Sequence, residues 1–396
     1  MKNTKLRVGL ISSFVPKKCG IATYSRDLIE AMALSEKFDW CVIAAEDSND
    51  NYSYGNKAIA IIKKDNLDSY TEAAEILNKW GPDVVLLEHE YGLFGGDLAE
   101  INYAGKIHHA PTGNYILTLL DNISAPVVTT LHTVIPKSDK SRADVLHAIS
   151  NRSAKLITMT RNAKHVLSQN YTISSKHIAV IPHGVPRPNR NKRSVVCAGL
   201  GLDCNRYYLL VTGLIGPNKG IDTIIKALPK IIRLHPEIML LVVGQTHPNI
   251  LAIEGEKYRN ILIKLARELN VTNYIHFVNE YLPTDELVNY FTIADVYLTI
   301  HKDAGQSASG TLAYALGCGL VAISTPYRYA EEVLAGGRGI LVPFDLSSAI
   351  SKQVNELIDN PELSQRIKDK AKVFGASMNW KKVGKIYLKL LKDVIE

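Results

Sequence analysis

Short apolar runs recur along the whole chain, and most are followed by a stretch of helical periodicity. In the first half the runs are Leu6 to Ser12, Trp40 to Ala45, Ala58 to Ile62, Val84 to Leu87, Val127 to Leu131, Lys155 to Met159 and Ile178 to Ile181. In the second half they are Tyr207 to Leu214, Met239 to Val243, Ile275 to Val278, Val296 to Ile300 and Leu320 to Ser324. Segments such as 21–34, 70–79, 221–234, 258–269 and 285–294 instead place apolar residues at helical spacing. Strands apolar at every position, separated by helices, predict parallel sheets covered on both faces. The chain therefore reads as α/β, with two Rossmann-like halves. From about Ser347 it is mostly helical, and its last piece carries Trp380, Val383, Ile386, Tyr387, Leu390 and Leu391 on one helical stripe.

Between the halves runs Pro186-Arg187-Pro188-Asn189-Arg190-Asn191-Lys192-Arg193, polar, basic and proline-bearing, which reads as a linker. The expected division is a first domain over 1–186, a linker over 187–205, a second domain over 206–375 and a closing helix over 376–396. A chain of 396 residues suits two domains. Hydrophobic content of 46% with 21% charged residues is globular and leaves no room for a large disordered region.

The formal charge of +7 favours anionic partners: nucleotide phosphates, acidic lipid surfaces or nucleic acid. No nucleic-acid-binding motif accompanies it, so nucleic acid ranks last. Five cysteines, at 19, 41, 197, 204 and 318, show neither C-x-x-C nor a Cys/His ligand spacing, so a reduced, cytoplasmic protein without a metal site is expected. The N-terminus leads straight into a strand without a signal-like apolar region, and no run is long enough to span a bilayer. The expectation is a soluble protein, or at most one bound peripherally at the inner face of a membrane.

Ligands of parallel sheets sit beyond the carboxyl ends of the strands, which directs attention to a few loops. Gly20 stands at the first strand-to-helix junction, behind Lys17 and Lys18, which either steer an anion or are simply solvated. Glu88-His89-Glu90-Tyr91, among glycines, gathers titratable and aromatic groups at a strand end. His132 stands at the tip of another strand. Ile215-Gly216-Pro217-Asn218-Lys219-Gly220 is a glycine-bracketed loop with one lysine before a helix, suited to a diphosphate or equally to a plain turn. It lacks the Walker spacing. Ser307-Ala308-Ser309-Gly310-Thr311 reads as a hydroxyl-capped helix start.

Four stretches together resemble family 4 of the retaining glycosyltransferases, the group 1 set of the GT-B superfamily. They are Cys19-Gly20-Ile21-Ala22-Thr23-Tyr24, Ile181-Pro182-His183-Gly184-Val185, Gly213 to Gly220, and Ala315 to Gly319 with Gly336 to Pro343. The resemblance runs over nearly the whole chain. It implies two Rossmann-like domains facing each other across a cleft, with the C-terminal helix crossing back to the N-terminal domain. It further implies a nucleotide-sugar donor in the second domain and a glycan or glycoconjugate acceptor in the first.

By the same resemblance Lys219 holds the donor diphosphate, with Gly216, Gly20, Ser309, Gly310, Thr311 and Glu331 on the donor side. His132 and Gln306 are the catalytic candidates, and His89, Glu90 and Tyr91 line the acceptor side. No cofactor or metal is expected beyond the sugar nucleotide itself, GDP-mannose or a UDP-hexose. The chain departs from the family at three positions. The glutamate pair spaced E-x-x-x-x-x-x-x-E falls on Gln306 and Tyr314, and the arginine before the phosphate lysine is Leu214. Gln306 can bond a sugar hydroxyl but carries no charge, and the ribose-binding carboxylate is missing.

The expected activity is metal-independent retaining transfer of a hexose, of mannose or glucose type, in polysaccharide biosynthesis. The alternatives are a GT-B phosphorylase using inorganic phosphate and a non-catalytic nucleotide-sugar sensor, the latter motivated by the two lost carboxylates.

Overall fold

A computed structural model of the chain describes residues 5–103, 106–136 and 139–396. The first four residues, expected to lead into the opening strand, lie outside the described residues. The chain divides into two compact units, one made of Met1–Gly184 with Trp380–Glu396 and the other of Val185–Asn379.

Among the described residues nine strands belong to the first unit: β1 Arg7–Ser12, β2 Asp39–Glu46, β3 Ala58–Lys63, β4 Val84–His89, β5 Leu98–Tyr103, β6 Lys106–Pro111, β7 Val127–Leu131, β8 Lys155–Thr158 and β9 Ile178–Val180. Seven of them form a parallel sheet in the order β3-β2-β1-β4-β7-β8-β9. Register runs Val8↔Trp40 to Ser12↔Ala44 on one side of β1 and Val8↔Val84 to Ile11↔Leu87 on the other. Leu10, Ile11, Val42, Ile43 and Val84 to Leu87 are wholly buried, which is why these strands read as unbroken apolar runs. Strands β5 and β6 pair antiparallel as a separate hairpin. The sequence reading left this region, and the helix Tyr115–Asn122 after it, without regular structure.

The second unit has six strands: β10 Tyr207–Thr212, β11 Ile238–Val243, β12 Ile275–Val278, β13 Val296–Thr299, β14 Val321–Ser324 and β15 Ile340–Leu341. They form one parallel sheet in the order β12-β11-β10-β13-β14-β15. Leu209, Leu240, Val242, Val296, Leu298 and Ile323 build its core with Ile224, Leu228 and Ile231 of the helix Ile221–Ile232. Both sheets reverse strand order once, between β1 and β4 and between β10 and β13. Such reversals open a crevice at the carboxyl ends of the strands.

One expectation changes. The stretch 187–205 is more than a connection, because Arg193–Leu200 is a helix of the second unit. Arg193 bonds both Asp295 oxygens at 3.0 and 2.9 Å and the Arg206 carbonyl at 2.7 Å, so part of the basic run holds the fold instead of facing solvent. The closing helix is Trp380–Ile395, and it packs on the helix Gly20–Ala33 of the first unit through Val383, Gly384, Tyr387, Leu388 and Leu391. At Gly384 a Cβ would lie 2.5 Å from the Ala31 carbonyl carbon, so contact this close requires glycine. Among the described residues no helix is long and apolar enough to cross a membrane.

Candidate active site

In the first unit the crevice is bordered by the ends of β1, β4 and β7. Gly20 begins the helix after β1, and a Cβ there would meet nothing within 4 Å, so space above it is open. Lys17 is neither solvated nor poised for an anion, since its Nζ lies 2.7 Å from Asp47 and 2.9 Å from Asp50. His132 follows β7 and is 9% exposed. Its amide donates to the His89 carbonyl at 3.0 Å, and its Nε2 lies 2.7 Å from Glu88 Oε2. The Tyr24 ring stands edge-on to His132, His183 and Trp380, with centroids 5.0, 5.0 and 5.2 Å away. His183 Nδ1 bonds the Gly184 carbonyl at 2.7 Å, and burial lowers its pKa to about 4, so the ring is neutral.

The structure takes His89 out of the expected acceptor triplet. Strand β4 runs on through His89 and turns that ring into the core. His89 has no exposed surface, lies between Tyr91 and Phe94 at 5.1 and 6.1 Å, and has neither ring nitrogen bonded. Burial lowers its pKa to about 3, and a ring so enclosed cannot touch an acceptor. Tyr91 is 4% exposed, with the Arg142 guanidinium over its ring. Glu90 is half-buried, and its carboxylate accepts from the Tyr91 amide and the Thr133 hydroxyl. Burial raises its pKa.

The crevice of the second unit lies where β10 and β13 part. Gly220 has φ +62°, and a Cβ there would lie 2.0 Å from the Ile300 carbonyl oxygen, so only glycine lets the chain turn here. That turn brings Lys219 back over Gly213, where its Nζ lies 3.3 Å from the place of a Gly213 Cβ and the Thr311 methyl lies 3.7 Å from it. Burial lowers the Lys219 pKa to about 8, and no acidic group contributes to the shift. Its Nζ is 3.5 Å from Nε2 of His301, the residue after β13's apolar run. His301 is buried edge-on to Tyr327, and burial and then the Lys219 charge push its pKa well below the ordinary value. His247, after β11, is lowered by the same two causes in the same order.

Ser309 caps the helix Gly310–Gly317, its hydroxyl accepting from the Leu312 amide at 3.3 Å, and Thr311 in the first turn lies beside Gly213. The structure thus gathers Lys219, Thr311 and His301 around Gly213. A Cβ at Gly216 would come within 2.7 Å of the Ile250 δ-methyl, the movable end of a side chain. Gln306 spends its side-chain amide on the Ala308 carbonyl at 2.9 Å. Glu331 lies exposed on the helix Arg328–Val333. Tyr314, where the family has its second glutamate, is 6% exposed and packs on Phe291.

Sequence reasoning did not single out His301 or His247, and it named Glu88 only as part of the loop 88–91. For the two histidines the available signal was a histidine in the loop after a parallel strand, but His89, at the end of β4, looks the same in sequence and belongs to the core.

Each of the two units is Rossmann-like, and the second carries a lysine at its switch point. HepE of Anabaena, solved with UDP and glucose, superposes with a TM-score of 0.74 over 98% of this chain and 100% of its own, at 12% identity. Residues 198–374 match the model of the family described as glycosyl transferases group 1. An uncharacterized glycosyltransferase of Methanocaldococcus jannaschii is 30% identical over 197 residues, 48% of this chain and 46% of its own length. A GDP-mannose-dependent alpha-(1-6)-phosphatidylinositol monomannoside mannosyltransferase of Mycolicibacterium smegmatis is 29% identical over 182 residues, 44% of each chain. The chain thus matches somewhat under half the length of these relatives.

Proposed function

We propose that the chain is a glycosyltransferase that moves a hexose from a nucleotide sugar to a glycan or glycoconjugate acceptor with retention of configuration. The observation that carries this reading is the half-buried Lys219, its ammonium over Gly213 at the switch point of the second sheet with no acidic group shifting it. A buried cation without a counter-ion is costly unless an anion completes it. A leaving diphosphate develops negative charge, and fixed positive groups stabilise it without reorganisation. Lys219 supplies one such group. The N–H groups at the start of the helix Gly310–Gly317 supply the others, while the Thr311 hydroxyl is engaged with Tyr297.

GDP-mannose is the first donor to test, because a relative bears that donor in its name. A UDP-hexose is the second, given UDP in HepE. His132 and Gln306 are the catalytic candidates, His132 beside the transferred sugar and Gln306 as a partner for a sugar hydroxyl. A nucleotide-sugar sensor is the second reading, favoured by Tyr314 being an apolar core residue where a ribose carboxylate would stand.

The test is a thermal-shift screen against GDP, UDP, ADP and dTDP with their sugar conjugates. A matching nucleotide at a hundredfold excess over its Kd should stabilise the protein by about 2.7 kcal/mol. A shift selective for one base, followed by turnover on an acceptor, is the expected result. Selective binding without turnover on any acceptor supports the sensor. No shift with any nucleotide overturns both readings.

A further inference from the structure

Glu88 ends the apolar run of β4 and has no exposed surface. A carboxylate withdrawn from water persists only when paired and hydrogen-bonded. Its Oε2 lies 2.7 Å from His132 Nε2, and its Oε1 accepts from the Thr130 hydroxyl at 3.4 Å. The pairing of β4 with β7 sets Glu88 opposite Thr130, and the His132 amide bonds the carbonyl of the residue after Glu88. Both the ring and the backbone of His132 are thereby referred to β4. Behind them, the Thr130 hydroxyl lies 3.1 Å from that of Tyr387, which lies 2.8 Å from that of Tyr24. Tyr24 then returns edge-on to His132. Two strands, the first helix and the closing helix together enclose the pair.

We propose that Glu88 is a positioning residue of the transferase centre, one that fixes the His132 ring with its proton on Nε2, and that Tyr387 of the closing helix secures this arrangement through Thr130. The proposal rests on His132 serving the transferred sugar. An ionised carboxylate can only accept, so the ring nitrogen facing it carries the hydrogen and Nδ1 becomes the basic nitrogen. A carboxylate behind an imidazole selects one tautomer and orientation and supports the cation if the ring takes up a proton. The competing reading is a buried polar pair that merely ties β4 to β7. It makes the same contacts but leaves the chemistry indifferent to which nitrogen is protonated.

The experiment labels the histidine rings of the full chain with 15N and assigns His132 by its loss in His132→Gln. The expected result is the Nε2–H tautomer in the neutral His132 ring, with Glu88→Gln losing that exclusive protonation and Glu88→Asp recovering part of it. Donor hydrolysis without acceptor should fall about 10- to 100-fold in Glu88→Gln, while nucleoside diphosphate affinity holds. Unchanged His132 ring shifts in a folded Glu88→Gln protein would overturn the proposal. So would an Nδ1–H tautomer in the wild type, or wild-type hydrolysis in Glu88→Gln.

If Glu88→Gln fails to fold, Thr130→Val and Tyr387→Phe leave the carboxylate in place and should move the same signals less far. No movement in either would remove Tyr387 from the proposal. A wild-type protein that binds no nucleotide defeats the transferase reading alone, since the ring-nitrogen result judges the Glu88–His132 pair independently.

Discussion

Lys219 carries a charge into the fold with no opposite charge shifting it, and this sets function against stability at one residue. Lys219→Met should raise the stability of the ligand-free protein by on the order of 1–2 kcal/mol, read by calorimetry, and abolish nucleoside diphosphate binding, read by titration. Unfolded lysine titrates near its ordinary value of 10.5 and the folded group near 8. The penalty is therefore full below about pH 8 and fades as pH climbs toward 10.5. By the same titration the ligand-free site loses its cation above about pH 8, so nucleoside diphosphate affinity should fall there. Lys219 was legible in the sequence because its loop is bracketed by glycines at a strand end. His301, 82 residues away, was not, because nothing local distinguishes it from the core residue His89. Glu88 and His132, 44 residues apart, became a pair only through strand pairing.

At the scale of elements, the parallel strands were legible because burial on both faces leaves no polar position inside them. The β5–β6 hairpin lacks such a run and went unread. The helix Arg193–Leu200 was masked by a basic composition that turned out to serve Asp295. The end of β4 shows how little separates a site residue from a core residue, since one more residue of strand places His89 inside. The closing helix was legible as a stripe, but its seat on the helix Gly20–Ala33 depends on one missing side chain. Gly384→Val should force the two helices apart and destabilise the protein by about 1–3 kcal/mol, seen as a lower urea midpoint with both sheets retained. An unchanged midpoint would mean that the helix pair tolerates separation.

At the scale of the molecule, the second unit is one uninterrupted stretch, Val185–Asn379, and contains Lys219, His301, Thr311 and its own core. Expressed alone, 185–379 should fold cooperatively and keep most of the nucleoside diphosphate affinity of the full chain, measured by titration calorimetry. Loss of binding in a folded fragment would assign part of that affinity to the first unit.

The first unit is differently made, since Met1–Gly184 is completed only by Trp380–Glu396. A ribosome delivers the chain in order, so the sheet β1 to β9 is synthesised well before the helix that covers Tyr24, Ala31 and Met32. Throughout translation of 185–379 that apolar face stays open, and Thr130 waits for its Tyr387 partner. A premature stop anywhere in this interval yields a nascent protein with a sticky seam, which quality control can recognise from one uncovered helix.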